Sequence, residues 1–489
     1  MKDESIQSSQ PLQVERWNMA ELSLAGLGLP EGSALSDLGM DGMSLPAPGG
    51  PRYRVLFTHG SRSIEAAPYL DSNGTWKVRF MPDEEGDWRY EITGGFSSSA
   101  DADRLSSLPA GTLQCTSPGA GNHGPVRVLD ERHFAYADGT PYVPIGTTCQ
   151  YGWLEEYQEQ TLAALRGAPF TKVRLYVPAA AAAYDTLDRF LRELMDIGLE
   201  AELVLQCSEN TAQTLQSVHL AAVRFSAYRH VWWSLQAPAE QYAFQDTLLQ
   251  LLHESDPYGR LLTLFSSNLL MNYGDHRISH VSLRLHEAFQ TSYAAKLHRK
   301  PVIADECGCE GNAPTLWGSL PGEELMHRLW ESICRGGYAG HGEMLLRTEG
   351  RSWHTHGEQL GGEVQPRIAF LRALLNEAPS ELHYMPEFYD AATIGLDGRY
   401  YLQYFGIHHY PSKDLRVPEG RYLVEIIDAW NMTIQPLPEI YGEKLDIRLP
   451  ARPWHALRVQ RLDGGSSAGP LRKDADALRR QAEDNDNFI

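Results

Sequence analysis

Between residues 142 and 346 short apolar runs alternate with helix-length amphipathic runs again and again, and few folds accommodate that rhythm. Strand-like runs fall at 142–146, 172–177, 201–205, 230–235, 260–265, 281–285, 301–304 and 340–346. Helical periodicity falls at 155–165, 186–195, 217–228, 242–253, 324–333 and 367–375. Eight strands, mostly followed by helices, predict a closed (β/α)8 TIM barrel. The alternative is an open doubly wound sheet, and that fold would favour a glycine-rich phosphate turn after the first strand, which is missing here.

The flanks have a different texture. From Val14 to Thr116 short alternating segments such as 53–57 and 76–80 are separated by turn chemistry, including Asp71-Ser72-Asn73-Gly74, which predicts an antiparallel β-sandwich. Residues 29–50, rich in Gly, Pro and Ser, are expected to form a loop. The run Pro118-Gly119-Ala120-Gly121-Asn122-His123-Gly124-Pro125 is too rich in breakers to be an element and marks the first boundary. After Ala378-Pro379 the strand pattern returns at 399–405, 421–427 and 456–459, predicting a second, smaller antiparallel β-sandwich. The expected organisation is therefore multidomain α/β: a flexible N-terminus (1–13), an N-terminal β-sandwich (14–118), the barrel (119–378), a C-terminal β-sandwich (379–463) and a disordered tail (464–489).

Charge narrows the partners. The 489 residues carry a formal net charge of -20, which disfavours nucleic acid and anionic membranes, since both are bound through Lys and Arg patches. A neutral ligand suits that balance. The start of the chain has no apolar run of the signal-peptide kind, no segment is apolar long enough to span a bilayer, and the six cysteines show no disulfide framework, so the expected location is cytoplasmic. Cys307 and Cys309 lack the second Cys or His pair a zinc site needs, and neither a metal nor a cofactor is expected.

In a barrel the chemistry gathers where strands end at the carboxyl face. There the run Pro301-Val302-Ile303-Ala304-Asp305-Glu306 passes abruptly from apolar residues to carboxylates, followed by Gly308 and Gly311, which permit close approach of a ligand. Glu306 is the candidate catalytic carboxylate, with Asp305 beside it. Arg174 lies mid-strand, where a charge must be paired, and is expected to orient a carboxylate, with Glu306 the candidate. Trp153, Trp232, Trp233, Trp317 and Trp353 fall near strand ends or in the loops beyond, where flat rings can stack on sugars, although one of the adjacent pair Trp232 and Trp233 must pack in the core. His341 and Glu343 on the last strand complete the candidate binding set.

These residues resemble those of a known group. The runs Phe80-Met81-Pro82-Asp83-Glu84-Glu85-Gly86-Asp87-Trp88, Tyr228-Arg229-His230-Val231-Trp232-Trp233-Ser234-Leu235, 301–312 and 336–343, together with Ile427-Asp428-Ala429-Trp430-Asn431, are similar to those of the apiosidase-like (β/α)8 glycoside hydrolases that carry an N-terminal domain of unknown function and a C-terminal β-sandwich. The resemblance implies a retaining O-glycosidase, with its nucleophile on the seventh strand and its acid/base in an Asn-Glu pair ending the fourth. Glu306 matches the nucleophile position. The fourth-strand pair is replaced by Gln236-Ala237-Pro238, and the polar segment usual after the third strand by Gln206-Cys207-Ser208-Glu209-Asn210.

Retaining hydrolysis needs two carboxyl groups about 5 Å apart. Pro238 can serve as neither, and the weak stand-in acid/base is Glu240, which an extended strand would displace by about 6–7 Å unless the loop folds back. Glu209 has less support still. Three readings follow: a glycoside hydrolase that turns over through Glu306 and a relocated acid, a catalytically impaired homologue that binds or senses an oligosaccharide in the same cleft, and a scaffold whose sandwiches bind a protein.

Overall fold

The structure is a computed structural model describing residues 12–23, 54–93, 110–347 and 350–463. The expected tail at 464–489, the whole of the expected loop at 29–50 and residues 1–11 of the expected N-terminus lie outside the described residues.

Eight parallel strands close into a barrel in chain order: β1 (Ile145–Thr148), β2 (Lys172–Tyr176), β3 (Glu200–Gln206), β4 (Val231–Gln236), β5 (Leu262–Ser266), β6 (Val281–Arg284), β7 (Val302–Glu306) and β8 (Tyr338–His341). Around them lie α1 (Gln158–Gly167), α2 (Tyr184–Asp196), α3 (Ala212–Phe225), α4 (Tyr242–Ser255), α5 (Gln290–His298), α6 (Gly322–Cys334), the one-turn α7 (Trp353–His356) and α8 (Val364–Glu377). Outward-facing Val173, Leu203, Trp233, Leu235, Leu264 and Leu283 join helix residues such as Leu187, Leu191, Leu248 and Leu329 in one apolar cluster. Burying a side chain of this kind is worth about 1.5–3 kcal/mol, so the helical ring is held mainly by these contacts.

Two differences from the sequence pattern have local causes. Residues 142–146 do not form one strand: Pro144 interrupts the ladder, β1 starts at Ile145, and Pro141–Tyr142 instead joins Val126–Val128 and Phe134–Tyr136 in a three-stranded antiparallel sheet. The apolar run 340–346 is likewise divided, because β8 ends at His341 and Glu343–Met344 pairs in parallel with Glu310–Gly311, off the barrel.

The small three-stranded sheet closes the amino-terminal end of the barrel. Phe134 packs 5.5 Å from the Trp232 ring and 5.7 Å from that of His280, and with Val126, Tyr142 and Ile303 it seals the lower interior.

Among the described residues, the N-terminal sandwich pairs a five-stranded sheet with a three-stranded one, antiparallel throughout except that Leu12–Glu15 runs parallel to Gly111–Thr116. Its Arg79 is buried against the barrel, donating to Asp188 on α2 at 2.6 and 2.9 Å and to the carbonyl of Arg224 on α3 at 2.8 Å. The C-terminal unit is a seven-stranded antiparallel sheet organised on the 17-residue strand Ser412–Asp428, whose register shifts between Arg416 and Gly420. One of its faces packs on α6, where Tyr404 lies 5.3 Å from Trp330. No helix among the described residues is long and apolar enough to cross a membrane.

Candidate functional site at the barrel mouth

The barrel interior is charged, and the strand pleat explains how. On β2 the inward residues are Lys172, Arg174 and Tyr176; on β3 they are Glu200, Glu202 and Val204. Lys172 Nζ donates to Glu202 and, at 2.6 Å, to Asp305 Oδ1; Arg174 Nε donates to Glu202 Oε1 at 3.0 Å. All four side chains are essentially inaccessible. Ser282 Oγ supplies Asp305 Oδ2 with a further bond at 2.6 Å.

Consecutive carboxylates on a regular strand would point to opposite faces, yet Asp305 and Glu306 both face the interior. The cause is a bulge: Ser282 pairs with Ile303 and Arg284 with Glu306, so β7 carries an extra residue against β6. Glu306 is thereby delivered to the mouth. Arg174 Nη1 donates to its Oε1 at 3.0 Å, while Arg284 donates to Oε2 through Nε at 2.9 Å and Nη2 at 2.8 Å. Burial would raise the Glu306 carboxyl, but Arg174, then His354 and Arg284, outweigh it and hold its pKa below the usual range. Asp305 goes the other way, raised first by burial and then by the neighbouring Glu202 charge.

Rings frame this cluster. The Arg174 guanidinium lies 4.1 Å from the Phe265 ring, and that of Arg284 lies 5.3 Å from Phe265 and 5.5 Å from Trp317. Trp317, half-buried in the loop after β7, also meets His286 edge to face at 4.9 Å. On the inward faces of β1, β2 and β4, Thr148 Oγ1, Arg174 Nη2, Ser234 Oγ and Gln236 Oε1 are buried with no hydrogen-bond partner among the described residues.

The other candidate residues are placed differently. Trp233 faces outward from β4, its Nε1 donating to Asp256 at 3.1 Å, because its neighbour Trp232 takes the inward position over Lys172. Trp153 is buried, donating to the Tyr176 carbonyl at 3.0 Å, and Trp353 is buried, donating to Thr147 Oγ1 at 2.8 Å, so both brace loops instead of presenting a ring. His341 also faces away from the interior, with Nδ1 3.0 Å from Thr147 Oγ1; burial takes its pKa down to about 3. Glu343 accepts from the backbone N–H groups of Gly361 and Gly362 at 2.9 Å, and Glu310 from that of Glu363 at 2.7 Å, so the two carboxylates hold the start of α8. Glu240 is exposed on the turn in which Pro238 O accepts from Gln241 N, and that turn leads directly into α4. Glu209 is exposed as well.

Arg284, Lys172 and Glu202 were not among the residues singled out in the sequence. Their signal was available: charges at every second position of otherwise apolar strands, as in Lys172-Val173-Arg174 and Glu200-Ala201-Glu202, mark an ionic barrel interior. A metal has no evident home, since no group of three or more His, Cys, Asp or Glu among the described residues could hold one. A cavity of about 980 Å³ lies at the opposite, amino-terminal end, lined among others by Tyr136, Phe170, Tyr338 and Arg372.

The fold, a closed eight-stranded barrel flanked by antiparallel sheets, is shared with solved structures. A candidate glycoside hydrolase from Bacteroides vulgatus ATCC 8482 superposes with a TM-score of 0.79 at 24% identity, covering 92% of this chain and 100% of its own. A glycoside hydrolase family 5 protein from the same organism reaches a TM-score of 0.60 at 12% identity, over 74% of this chain and 99% of its own. A third structure, described as a glycoside hydrolase, reaches 0.58 at 11% identity, over 72% and 100%. Residues 46–94 match the family model described as domain of unknown function DUF5060, and residues 389–460 that of domain of unknown function DUF5605. No curated protein matches the chain.

Proposed function

We propose that the chain is a glycoside-hydrolase-like protein of the apiosidase-like lineage that binds a glycoside or oligosaccharide at the carboxyl mouth of its barrel and turns it over poorly. The observation that carries this reading is the set of buried, unsatisfied polar atoms on the inward faces of the strands around Glu306: Thr148 Oγ1, Arg174 Nη2, Ser234 Oγ and Gln236 Oε1. Leaving such a group unpaired costs about 1–3 kcal/mol, and a ligand rich in hydroxyls, each both donor and acceptor, offsets that cost at several points at once. The half-exposed Trp317 ring at the same mouth suits a sugar face.

Poor turnover follows from what surrounds Glu306. The fourth strand ends in Gln236-Ala237-Pro238, and the carboxylates nearest Glu306 in the network, Asp305 and Glu202, are committed to Lys172. General acid catalysis is worth roughly a hundredfold to ten-thousandfold, so a site without it favours binding over hydrolysis. The six cysteines, all buried and free, suit a reducing compartment such as the cytoplasm.

A glycan array probed with wild type and Trp317→Ala tests the binding claim. Wild type is expected to retain a defined set of neutral glycans and Trp317→Ala to lose them at least tenfold; an array on which wild type retains none removes the carbohydrate reading.

A further inference from the structure

The two arginines that grip Glu306 are not equivalent. Arg174 is the floor: it is 1% exposed, shares its guanidinium between Glu306 and Glu202, and lies over Phe265. Arg284 is 40% exposed at its side chain and lies on the mouth side, between Phe265 and Trp317. Its Nε and Nη2 both converge on Oε2, the oxygen that Arg174 leaves open. An attacking carboxylate needs a free lone pair about 3–3.5 Å from the carbon it will bond. With Arg174 on Oε1 and Arg284 on Oε2, each oxygen of Glu306 already lies under a guanidinium, and the residue is only 4% exposed.

We propose that Arg284 is a masking residue: it closes Glu306 against nucleophilic attack, and removing its guanidinium exposes a carboxylate competent to form a glycosyl ester. This rests on the carbohydrate reading above and deepens it, by locating a second, separable cause of poor turnover besides the missing acid. Arg284 donates to Oε2, the oxygen that would attack, and acts on turnover only by occupying it, so its role is positional.

The two causes can be separated chemically. In a 2,4-dinitrophenyl 2-deoxy-2-fluoroglycoside the leaving group departs as the phenolate without needing a proton. Glu306 Oε2 would form the new bond to the anomeric carbon as the bond to the phenolic oxygen breaks and its electron pair leaves with the phenolate. No acid/base partner is required, and the fluorine slows hydrolysis of the ester so that it accumulates. The acid missing from β4 then drops out of the comparison, and only the mask remains.

The experiment compares wild type, Arg284→Gln and Arg284→Lys in two arms, with folding checked by circular dichroism. In the first arm, a water-soluble carbodiimide with glycine ethyl ester labels accessible carboxyls, and peptide mass spectrometry follows the rate at Glu306; no sugar is involved. In the second, intact-mass spectrometry follows the glycosyl adduct from a panel of the fluoroglycosides. Arg284→Gln is expected to label at Glu306 at least tenfold faster than wild type in the first arm and to accumulate an adduct in the second, with Arg284→Lys between the two. Equal carbodiimide rates in folded wild type, Arg284→Gln and Arg284→Lys overturn the mask, as does an adduct forming equally fast in wild type. Faster carbodiimide labelling with no adduct from any sugar upholds the mask and counts against the carbohydrate reading, so the two claims fail separately.

Discussion

Replacing Lys172 with Met should cost the barrel about 4 kcal/mol at pH 7 and far less in mild acid. Lys172 is fully buried and donates to both Glu202 and Asp305. Without it Glu202 keeps Arg174 Nε at 3.0 Å, whereas Asp305 keeps only Ser282 Oγ and an arginine nitrogen at 4.0 Å. Asp305 is therefore the stranded charge, and burial and Glu202 already push its carboxyl up. A stranded buried carboxylate escapes by taking a proton. Protonating a group of ordinary pKa about 3.9 costs roughly 1.4 kcal/mol per pH unit above that value, which gives about 4 kcal/mol at pH 7 and about 1.5 kcal/mol at pH 5.

The sign follows from linkage. In Lys172→Met the folded pKa of Asp305 lies above its unfolded value, so the relative stability is present below the unfolded pKa and is lost as pH rises through the folded one. Urea unfolding followed by tryptophan fluorescence at pH 5 and pH 7 measures the difference against wild type. Lys172→Met/Asp305→Asn should recover most of the loss at pH 7, because the double variant has no charge left to strand. A destabilisation independent of pH, or a double variant no more stable than the single, would refute this account of the interior.

Glu200, buried beneath the network with Trp232 Nε1 donating to it at 2.8 Å, has its pKa pushed up to about 7 by burial. Its stabilising contribution is present at pH 4.5 and lost as pH rises toward 7, by about 3 kcal/mol. Glu200→Gln should flatten that slope in denaturation curves taken across the range. Gly340 of β8 faces the bulged strand, where an added Cβ would run into the Asp305 carbonyl. Gly340→Ala should therefore cost about 1–3 kcal/mol in the same unfolding assay and displace Asp305, visible as faster carbodiimide labelling at Glu306.

The strand–helix alternation made the barrel legible because each β-strand buries both faces and each helix one, and those patterns survive in the sequence. Arg174 was legible for the same reason: a charge inside the apolar run Lys172-Val173-Arg174-Leu175 must have a partner. What the sequence could not disclose was register. The bulge that turns both Asp305 and Glu306 inward is a property of how β6 pairs with β7. Nor do the adjacent letters Trp232 and Trp233 say which ring enters the barrel. Glu343 drew attention as part of an apolar run read as the last strand, yet the chain leaves the barrel at His341, and the carboxylate secures a helix start instead. Arg284 stood at a strand end like many other arginines, and only the convergence of its two nitrogens on Glu306 gives it meaning.

The most direct test of the central claim is product formation from a glycan retained on the array, incubated with equal amounts of wild type and Glu306→Gln and quantified by chromatography. A binding site with a masked carboxylate and no fourth-strand acid predicts at most a trace of product from wild type after prolonged incubation, and none from Glu306→Gln. Complete conversion by wild type within minutes that Glu306→Gln abolishes would contradict it and establish an efficient hydrolase.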